Sequence, residues 1–169
     1  KAHFADLQDM LSQSITQARL IMAEMSPPVL YELGFVPALE WLTEQVQNQH
    51  NIEIDFQARS VPPLVHEIQV LLFQATRELL MNVVKHARAR SALVKVSGIG
   101  DKVRIKVADD GMGIDTRQAF RTDQSSGGFG LFSIRERLKH FGGHMSIRSK
   151  ARQGTTVIMT SQRGDTEFS

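Results

Sequence analysis

Apolar residues recur at helical spacing in several long segments of the chain. The first segment, residues 4–25, contains no Gly or Pro and carries one continuous apolar stripe. It ends at Ser26-Pro27-Pro28, because proline cannot continue a helix and restrains the residue before it. The same spacing predicts three further helices, over residues 35–50, 64–87 and 131–141.

Strict alternation of apolar and polar residues predicts five strands. The first contains Ile52, Ile54 and Phe56, and the fourth follows the Gly142-Gly143 turn. Short glycine-containing connections join two pairs of strands as hairpins. We therefore predict an α+β fold, a two-layer sandwich with helices on one face of a mixed, mostly antiparallel sheet. The other predicted strands cover residues 92–97, 103–107, 144–148 and 155–160.

Composition narrows the class of protein only by exclusion. The 169 residues suffice for one domain with its own core, and 41% of them are hydrophobic. Because 20 Lys and Arg face 18 Asp and Glu, the net charge of +2 does not argue for a nucleic-acid partner. The chain has no cysteine, which excludes disulfides, zinc-thiolate sites and thiol catalysis.

The long predicted helix carries a polar column beside its buried stripe. Glu78, Asn82, Lys85 and Ala89 recur at i, i+4, i+7 and i+11 and share one face of an ideal helix. Taken alone, this pattern is also typical of an ordinary solvated face with paired charges.

Two glycine-rich segments follow at the ends of predicted elements. Asp109-Asp110-Gly111-Met112-Gly113-Ile114 comes directly after a strand, where Gly111 and Gly113 allow a sharp turn and a close backbone approach. Gly127-Gly128-Phe129-Gly130-Leu131 opens a helix, whose free amides suit phosphate. Neither segment matches the dinucleotide-binding fingerprint or the P-loop, and each alone also fits a simple turn.

Taken in order, the motifs resemble those of one family. They are Glu-x-x-x-Asn-x-x-Lys-His-Ala, Asp-Asp-Gly-Met-Gly-Ile, Gly-Gly-Phe-Gly-Leu and Gly-Thr-Thr. They resemble the ATP-binding catalytic domain of sensor histidine kinases, within the gyrase, Hsp90, histidine kinase and MutL superfamily. The wording from Gly128 to Gly143 is similar to the NarL-type, DesK-like branch. The resemblance implies a Bergerat-type sandwich over residues 29–163, after the second helix of a dimerisation and phosphotransfer hairpin (residues 1–28) and before a tail (164–169).

The resemblance also implies a role for each matching residue. Glu78 would act in catalysis beside Asn82, and Asn82 would bind Mg²⁺, a hard cation that bridges phosphate oxygens. Asp109 would accept the adenine amino group, assisted by a water held by Thr155. A polar stretch, residues 115–126, would close over ATP as a lid. The implied set that binds ATP and its metal is Asn82, Lys85, His86, Asp109, Gly111, Gly113, Ile114, Gly128, Gly130, Leu131 and Thr155.

The family resemblance further implies partners that this chain does not supply. The γ-phosphoryl group would pass to a histidine on a separate helix and then to the receiver domain of a response regulator, in a homodimer. In the family this histidine is followed by Asp or Glu. Only His66 has such a neighbour, Glu67, but it follows Pro62-Pro63 and lies past the hairpin. The domain would be cytoplasmic, and membrane attachment of the intact protein, for example in an inner membrane, stays open.

Three other activities remain compatible with the same motifs. A gyrase-type or MutL-type ATPase would use Glu78 as the general base for water. A Ser/Thr kinase of the anti-sigma type is another relative of this fold. An ATP-sensing binding module would bind the nucleotide without transferring phosphate.

Overall fold

The computed structural model describes residues 28–116 and 129–164. Within these ranges the α-helices are α1 (Pro28–Leu33), α2 (Phe35–His50), α3 (His66–Asn82) and α4 (Phe129–His140). A π-helical turn, Val83–Ala87, continues directly from α3. None of these helices combines the length and apolarity that crossing a membrane requires.

The five strands form one sheet with the order β1-β2-β3-β5-β4. β1 and β2 pair in parallel, because α3 lies between them in the chain and returns it to the same end of the sheet. All other neighbours are antiparallel, so the predicted mixed, mostly antiparallel sheet is confirmed. The strands are β1 (Glu53–Arg59), β2 (Ser91–Ile99), β3 (Lys102–Asp109), β4 (His144–Ser149) and β5 (Thr155–Gln162).

The core lies between one face of the sheet and the helices. Alternate residues of β2, β3 and β5 are buried, and the residues between them are mostly exposed or half-buried. α3 contacts β3, and α4 contacts β4 and β5. The predicted α+β sandwich with helices on one face is therefore correct. The buried sheet positions are Ala92, Val94, Val96, Val103, Ile105, Val107, Met145, Val157, Met159 and Ser161.

Several predicted element boundaries were wrong. Pro28 was predicted only to end the preceding helix, but it begins α1, where its missing N–H costs no hydrogen bond. The long helix was predicted to run from residue 64 to 87, whereas the α-helix spans His66–Asn82 and then widens into the π-helical turn. Residues 1–27, with the predicted first helix, lie outside the described residues.

Candidate functional site

A row of three polar side chains ends the buried face of the sheet. Asp109 on β3, Thr155 on β5 and Ser149 on β4 each lie two residues beyond an apolar core position. Ser149 pairs with Thr155 across the strands, and Asp109 pairs with Ala92. Side chains two residues apart share a face of a strand, so the polar row continues the core row formed by Val107, Val157 and Ile147.

Asp109 is held in place by backbone donors. Its Oδ1 accepts a hydrogen bond of 2.9 Å from the Gly111 N–H, and the Thr155 N–H also donates to its carboxyl group. Burial raises the pKa of Asp109 above its ordinary value, against the smaller opposing effect of these two donors. The carboxylate is therefore fixed in position. Its charged form is less well solvated there than it would be in water.

The neighbouring Asp110 has a different role and binds the beginning of β2. Its Oδ1 accepts from the backbone N–H groups of Arg90 at 2.8 Å and Ser91 at 3.0 Å, and its Oδ2 contacts the Ser91 hydroxyl at 3.1 Å. These hydrogen bonds, led by that of the Ser91 amide, lower the pKa of Asp110. Asp110 thus fastens the start of β2 to the end of β3, which agrees with the turn chemistry that its position also suggested.

The two adjacent carboxylates give opposite expected effects of pH on stability. The folded-state pKa of Asp109 is raised, so its ionisation destabilises the fold as pH rises through that value. We expect Asp109→Asn to raise the melting temperature of the nucleotide-free protein at neutral pH, and the gain to shrink as pH falls toward the ordinary Asp pKa. Thermal unfolding at several pH values measures this, and a lower melting temperature at neutral pH would contradict it.

Asp110→Asn is the matched control for that experiment. Because the folded-state pKa of Asp110 is depressed, its carboxylate stabilises the fold above the ordinary Asp pKa, and this stabilisation is lost as pH falls through the folded value. We therefore expect Asp110→Asn to lower the melting temperature at neutral pH and to have little effect in acid.

Hydrogen bonds to two other segments hold the loop after β3. The Met112 N–H donates to the carbonyl oxygen of Ala87 at 2.8 Å, and the Met112 carbonyl accepts from the Arg152 N–H at 2.8 Å. A Cβ at Gly111 would overlap the Ala87 carbonyl, and one at Gly113, where φ is +75°, would overlap that of Lys150. Both glycines are therefore required by close packing, and the loop bridges the π-helical turn and the β4–β5 connection.

The π-helical turn explains why the predicted polar column is only partly correct. Glu78 and Asn82 lie one turn apart on α3, as predicted. The following turn is wider than an α-helical turn, so the i+7 and i+11 positions no longer project onto the same face. Ala89 lies beyond Arg88, whose φ of +51° ends the helix, and so leaves the column. Lys85 and His86 lie exposed on the turn itself.

Asn82 carries a buried polar atom with an unmet hydrogen-bonding need. Its Nδ2 has no hydrogen-bond partner among the described residues. A half-turn of the carboxamide exchanges Nδ2 and Oδ1, so this position can present either a donor or an oxygen ligand. A buried donor without a partner is costly in a folded protein, and a bound ligand is one way of satisfying it. Asn82 therefore fits a hard cation or a phosphate.

The described residues hold no preformed cage for a metal. Across residues 28–116 and 129–164, no three His, Asp or Glu side chains gather as potential metal ligands. Mg²⁺ typically takes one or two protein oxygens and completes its shell with phosphate oxygens and water. An amide oxygen from Asn82 matches that mode of binding.

Glu78 lies against the beginning of α4. A Cβ added at Gly130 would overlap the Glu78 carboxylate, so the absence of a side chain there is what lets this carboxylate approach the first turn of the helix. Leu131, the next residue, is buried in the core and anchors α4. Gly128 and the predicted lid beyond Thr116 lie outside the described residues.

Ser149 is a site residue that sequence reasoning missed. Its Oγ accepts from the Ile114 N–H at 2.8 Å, contacts the Gly154 carbonyl at 3.1 Å and lies 3.1 Å from Thr155 Oγ1. A serine at the end of a predicted strand carries no distinguishing signal, and only the pairing of β4 with β5 brings it to Thr155.

The open face of the sheet carries a groove with the wrong charge for a nucleotide. Four carboxylates line it, those of Glu53, Asp55, Asp110 and, at the edge shared with the polar row, Asp109, around an apolar floor that includes Leu93 and Ala108. This concentration of negative charge would repel a triphosphate, so the groove is not the candidate phosphate site. The buried-face row beside α3 and the π-helical turn is the better candidate.

Comparisons with known proteins identify the family. Residues 67–164 match the family "Histidine kinase-, DNA gyrase B-, and HSP90-like ATPase". The chain is 30% identical over 156 residues to the signal transduction histidine-protein kinase/phosphatase DegS of Brevibacillus brevis, covering 92% of this chain and 39% of DegS. It is also 30% identical over 132 residues to the nitrate/nitrite sensor protein NarX of Escherichia coli K12, covering 78% of this chain and 21% of NarX.

Solved structures share the fold. The blue-light activated histidine kinase of Erythrobacter litoralis EL346 superposes with a TM-score of 0.63 at 19% identity, over 90% of this chain and 50% of that one. Full-length ShkA in complex with AMPPNP gives a TM-score of 0.64 at 21% identity, over 79% of this chain and 31% of that one. The chain thus belongs to the histidine kinase-, DNA gyrase B- and HSP90-like ATPase family, as an ATP-binding catalytic domain of the NarL/DesK-type sensor histidine kinases.

Proposed function

We propose that this domain binds Mg²⁺-ATP between the polar row of the sheet and the end of α3, and transfers the γ-phosphoryl group to a histidine on a separate helix. The observation that carries the proposal is the buried Nδ2 of Asn82, which has no hydrogen-bond partner among the residues that the structure describes. It lies at the start of the π-helical turn, whose Ala87 carbonyl holds the loop that follows Asp109. A metal-bound triphosphate would supply the missing partner of the Asn82 amide, while the adenine base would reach Asp109.

The proposed base contacts follow from donor and acceptor chemistry. Asp109 offers a carboxylate that is already fixed by the Gly111 amide, and adenine carries an exocyclic amino group that can donate to it. Thr155 lies beside Asp109 and would assist through its hydroxyl or a water. Ile114, partly buried against the core with its N–H bound to Ser149, would support the loop that passes the base.

The proposed phosphate contacts lie toward the helices. Lys85 and His86 are exposed on the π-helical turn and would meet the triphosphate, Lys85 as a point charge. Gly130 in the first turn of α4, together with Gly128, would offer backbone amides to it. Mg²⁺, bound through Asn82, would neutralise charge on the phosphate oxygens.

The proposed reaction needs little covalent chemistry from the protein. The bond between the γ-phosphorus and the bridging oxygen breaks, ADP leaves, and a phosphorus–nitrogen bond forms on the acceptor imidazole. Glu78 would hydrogen-bond the imidazole N–H and hold the opposite nitrogen toward phosphorus. Its carboxylate already lies against the first turn of α4, next to Gly130.

The whole protein is proposed to work as a two-component kinase. The chain spans about two fifths of DegS and one fifth of NarX, so segments outside it would supply the remaining functions. We propose that residues 1–28 form the second helix of a dimerisation hairpin and that residues 29–163 are the catalytic domain. Phosphate would then pass to a response regulator.

Labelled ATP tests the transfer. We expect residues 1–169 alone to bind Mg²⁺-ATP without becoming phosphorylated, since none of the six histidines has the family's acceptor context. A longer chain that includes the preceding helix, or that helix added in trans, should acquire acid-labile label on its own histidine. Mass spectrometry locates the label.

Three outcomes would redirect the proposal. Stoichiometric phosphate on His3, His66 or another residue of this chain would show that the acceptor is misplaced. Steady phosphate release in the presence of the acceptor helix would favour an ATPase in which Glu78 activates water. Binding with neither transfer nor hydrolysis would leave an ATP-sensing module.

A further inference from the structure

The hydroxyl of Ser149 lies at the centre of a small hydrogen-bonded cluster. It has three polar neighbours: the Ile114 N–H at 2.8 Å, the Gly154 carbonyl oxygen at 3.1 Å and Thr155 Oγ1 at 3.1 Å. A hydroxyl has one proton to donate and two lone pairs that accept. The cluster therefore uses the full capacity of Ser149, and the direction of each hydrogen bond can be worked out.

In two of these three hydrogen bonds, the partner of Ser149 decides which atom is the donor. The Ile114 N–H can only donate, so it occupies one lone pair of Ser149. The Gly154 carbonyl can only accept, so it takes the Ser149 proton. Its other contact, from the Lys150 N–H at 3.4 Å, is long, and two oxygens 3.1 Å apart without a proton between them would repel.

The third direction follows from the other two. With the Ser149 proton committed to Gly154, the bond between Ser149 and Thr155 forms only if Thr155 donates its own proton. Thr155 Oγ1 then has no proton left, and its remaining lone pairs accept hydrogen bonds. Its backbone N–H is meanwhile engaged with the carboxyl group of Asp109. The polar row thus presents two neighbouring acceptors, the Asp109 carboxylate and Thr155 Oγ1.

We propose that Ser149 is a positioning residue for base specificity: by accepting the Thr155 proton it keeps Thr155 an acceptor, and so favours a 6-aminopurine over a 6-oxopurine. This inference rests on the proposed function, in which the base lies at Asp109. An amino group at C6 donates directly or through a water to the acceptor pair. An oxygen at C6 meets acceptors only, unless Thr155 can turn its proton outward.

The test compares ATP with ITP, which carries an oxygen at C6 and a proton at N1 and lacks the 2-amino group of GTP. Calorimetry gives both dissociation constants for the wild type, Ser149→Ala and Ser149→Thr. We expect Ser149→Ala to lower the ratio of ATP affinity to ITP affinity about three- to tenfold relative to the wild type. Most of this change should come from tighter binding of ITP, because the Thr155 hydroxyl is then free to donate its proton to the C6 oxygen. Ser149→Thr keeps the acceptor hydroxyl and should retain the wild-type preference.

A double-mutant cycle separates this effect from a structural one. Thr155→Val removes the acceptor, so adding Ser149→Ala to it should leave the ATP-to-ITP ratio unchanged. Equal weakening of ATP and ITP by Ser149→Ala, or no change in the ratio, would overturn the inference. If Ser149→Ala does not fold, Ser149→Cys replaces it in the test. The cysteine sulfur is a weak acceptor, so this variant should also lower the ATP-to-ITP ratio, and an unchanged ratio would likewise overturn the inference.

Failure of the proposed function would look different. If the wild type bound ATP and ITP equally, or if Asp109→Asn left the preference intact, the base would not lie at Asp109. A strong wild-type preference that survives Ser149→Ala would overturn only the role given to Ser149.

Discussion

Gly154→Ala is expected to lower the melting temperature by about 5–15 °C and to abolish measurable ATP binding. Gly154 has a φ of +79°, which costs a residue with a side chain roughly 1–2 kcal/mol. A Cβ there would also overlap the carbonyl group of Asp109, and such overpacking costs roughly 1–3 kcal/mol. Each kcal/mol shifts the melting temperature of a domain this size by roughly 2–4 °C.

The loss of binding has the same structural origin. The overlapped atoms belong to the backbone of Asp109, which cannot move aside without shifting the carboxylate and the loop that follows it. Thermal unfolding and calorimetric titration with Mg²⁺-ATP measure the two effects on one sample.

Gly100→Ala is the matched control. Gly100 also has a positive φ, +60°, but no atom lies within 4 Å of the position that its Cβ would take. We expect a loss of about 1 kcal/mol from backbone strain alone and unchanged ATP binding. If the two alanine variants behaved alike, the close packing of Gly154 on Asp109 would not be what holds the site.

Asn82→Ala is expected to weaken Mg²⁺-ATP binding at least about tenfold and to remove most of its dependence on Mg²⁺. The wild type should lose affinity when EDTA is added, whereas the variant should bind weakly with or without the metal. Its nucleotide-free form should be no less stable than the wild type, because the substitution removes a buried amide nitrogen that has no partner among the described residues. Calorimetry with and without EDTA, together with thermal unfolding, measures these effects.

Gln69→Ala is the control on the same helix. The Gln69 side chain also ends in a carboxamide, but its Nε2 donates to the Leu64 carbonyl at 2.8 Å, so its loss should reduce stability and spare binding. If EDTA impaired the wild type and Asn82→Ala by the same factor, Asn82 would not be the metal ligand.

Much of the fold could be predicted because the helices that the structure describes cover the sheet on one side only. Burial of one face imposes strict alternation, and the alternation located all five strands to within a few residues. The π-helical turn could not be found this way. Over the five residues Val83–Ala87, a period of 3.6 cannot be told from a wider turn. The end of the turn also takes part in a contact distant in sequence, in which the Met112 amide donates to the Ala87 carbonyl.

The residues of the candidate site also differ in how far the sequence alone can identify them. Asp109, Gly111 and Gly113 stand next to one another in the chain, so a local motif was enough to single them out. Ser149 and the contact between Glu78 and Gly130 depend on strand register and helix packing, which join residues far apart in the sequence. The different roles of Asp109 and Asp110 can likewise be told apart only from their hydrogen-bond partners in the structure.

The most direct test of the proposed site is a backbone-assigned NMR titration of residues 1–169 with Mg²⁺ and the non-hydrolysable analogue AMPPNP. If the nucleotide lies between the polar row and the end of α3, the largest amide shifts will fall in three segments, residues 82–87, 109–114 and 149–155. Shifts centred instead on Glu53, Asp55 and Leu93, in the groove of the open sheet face, would contradict the proposed site.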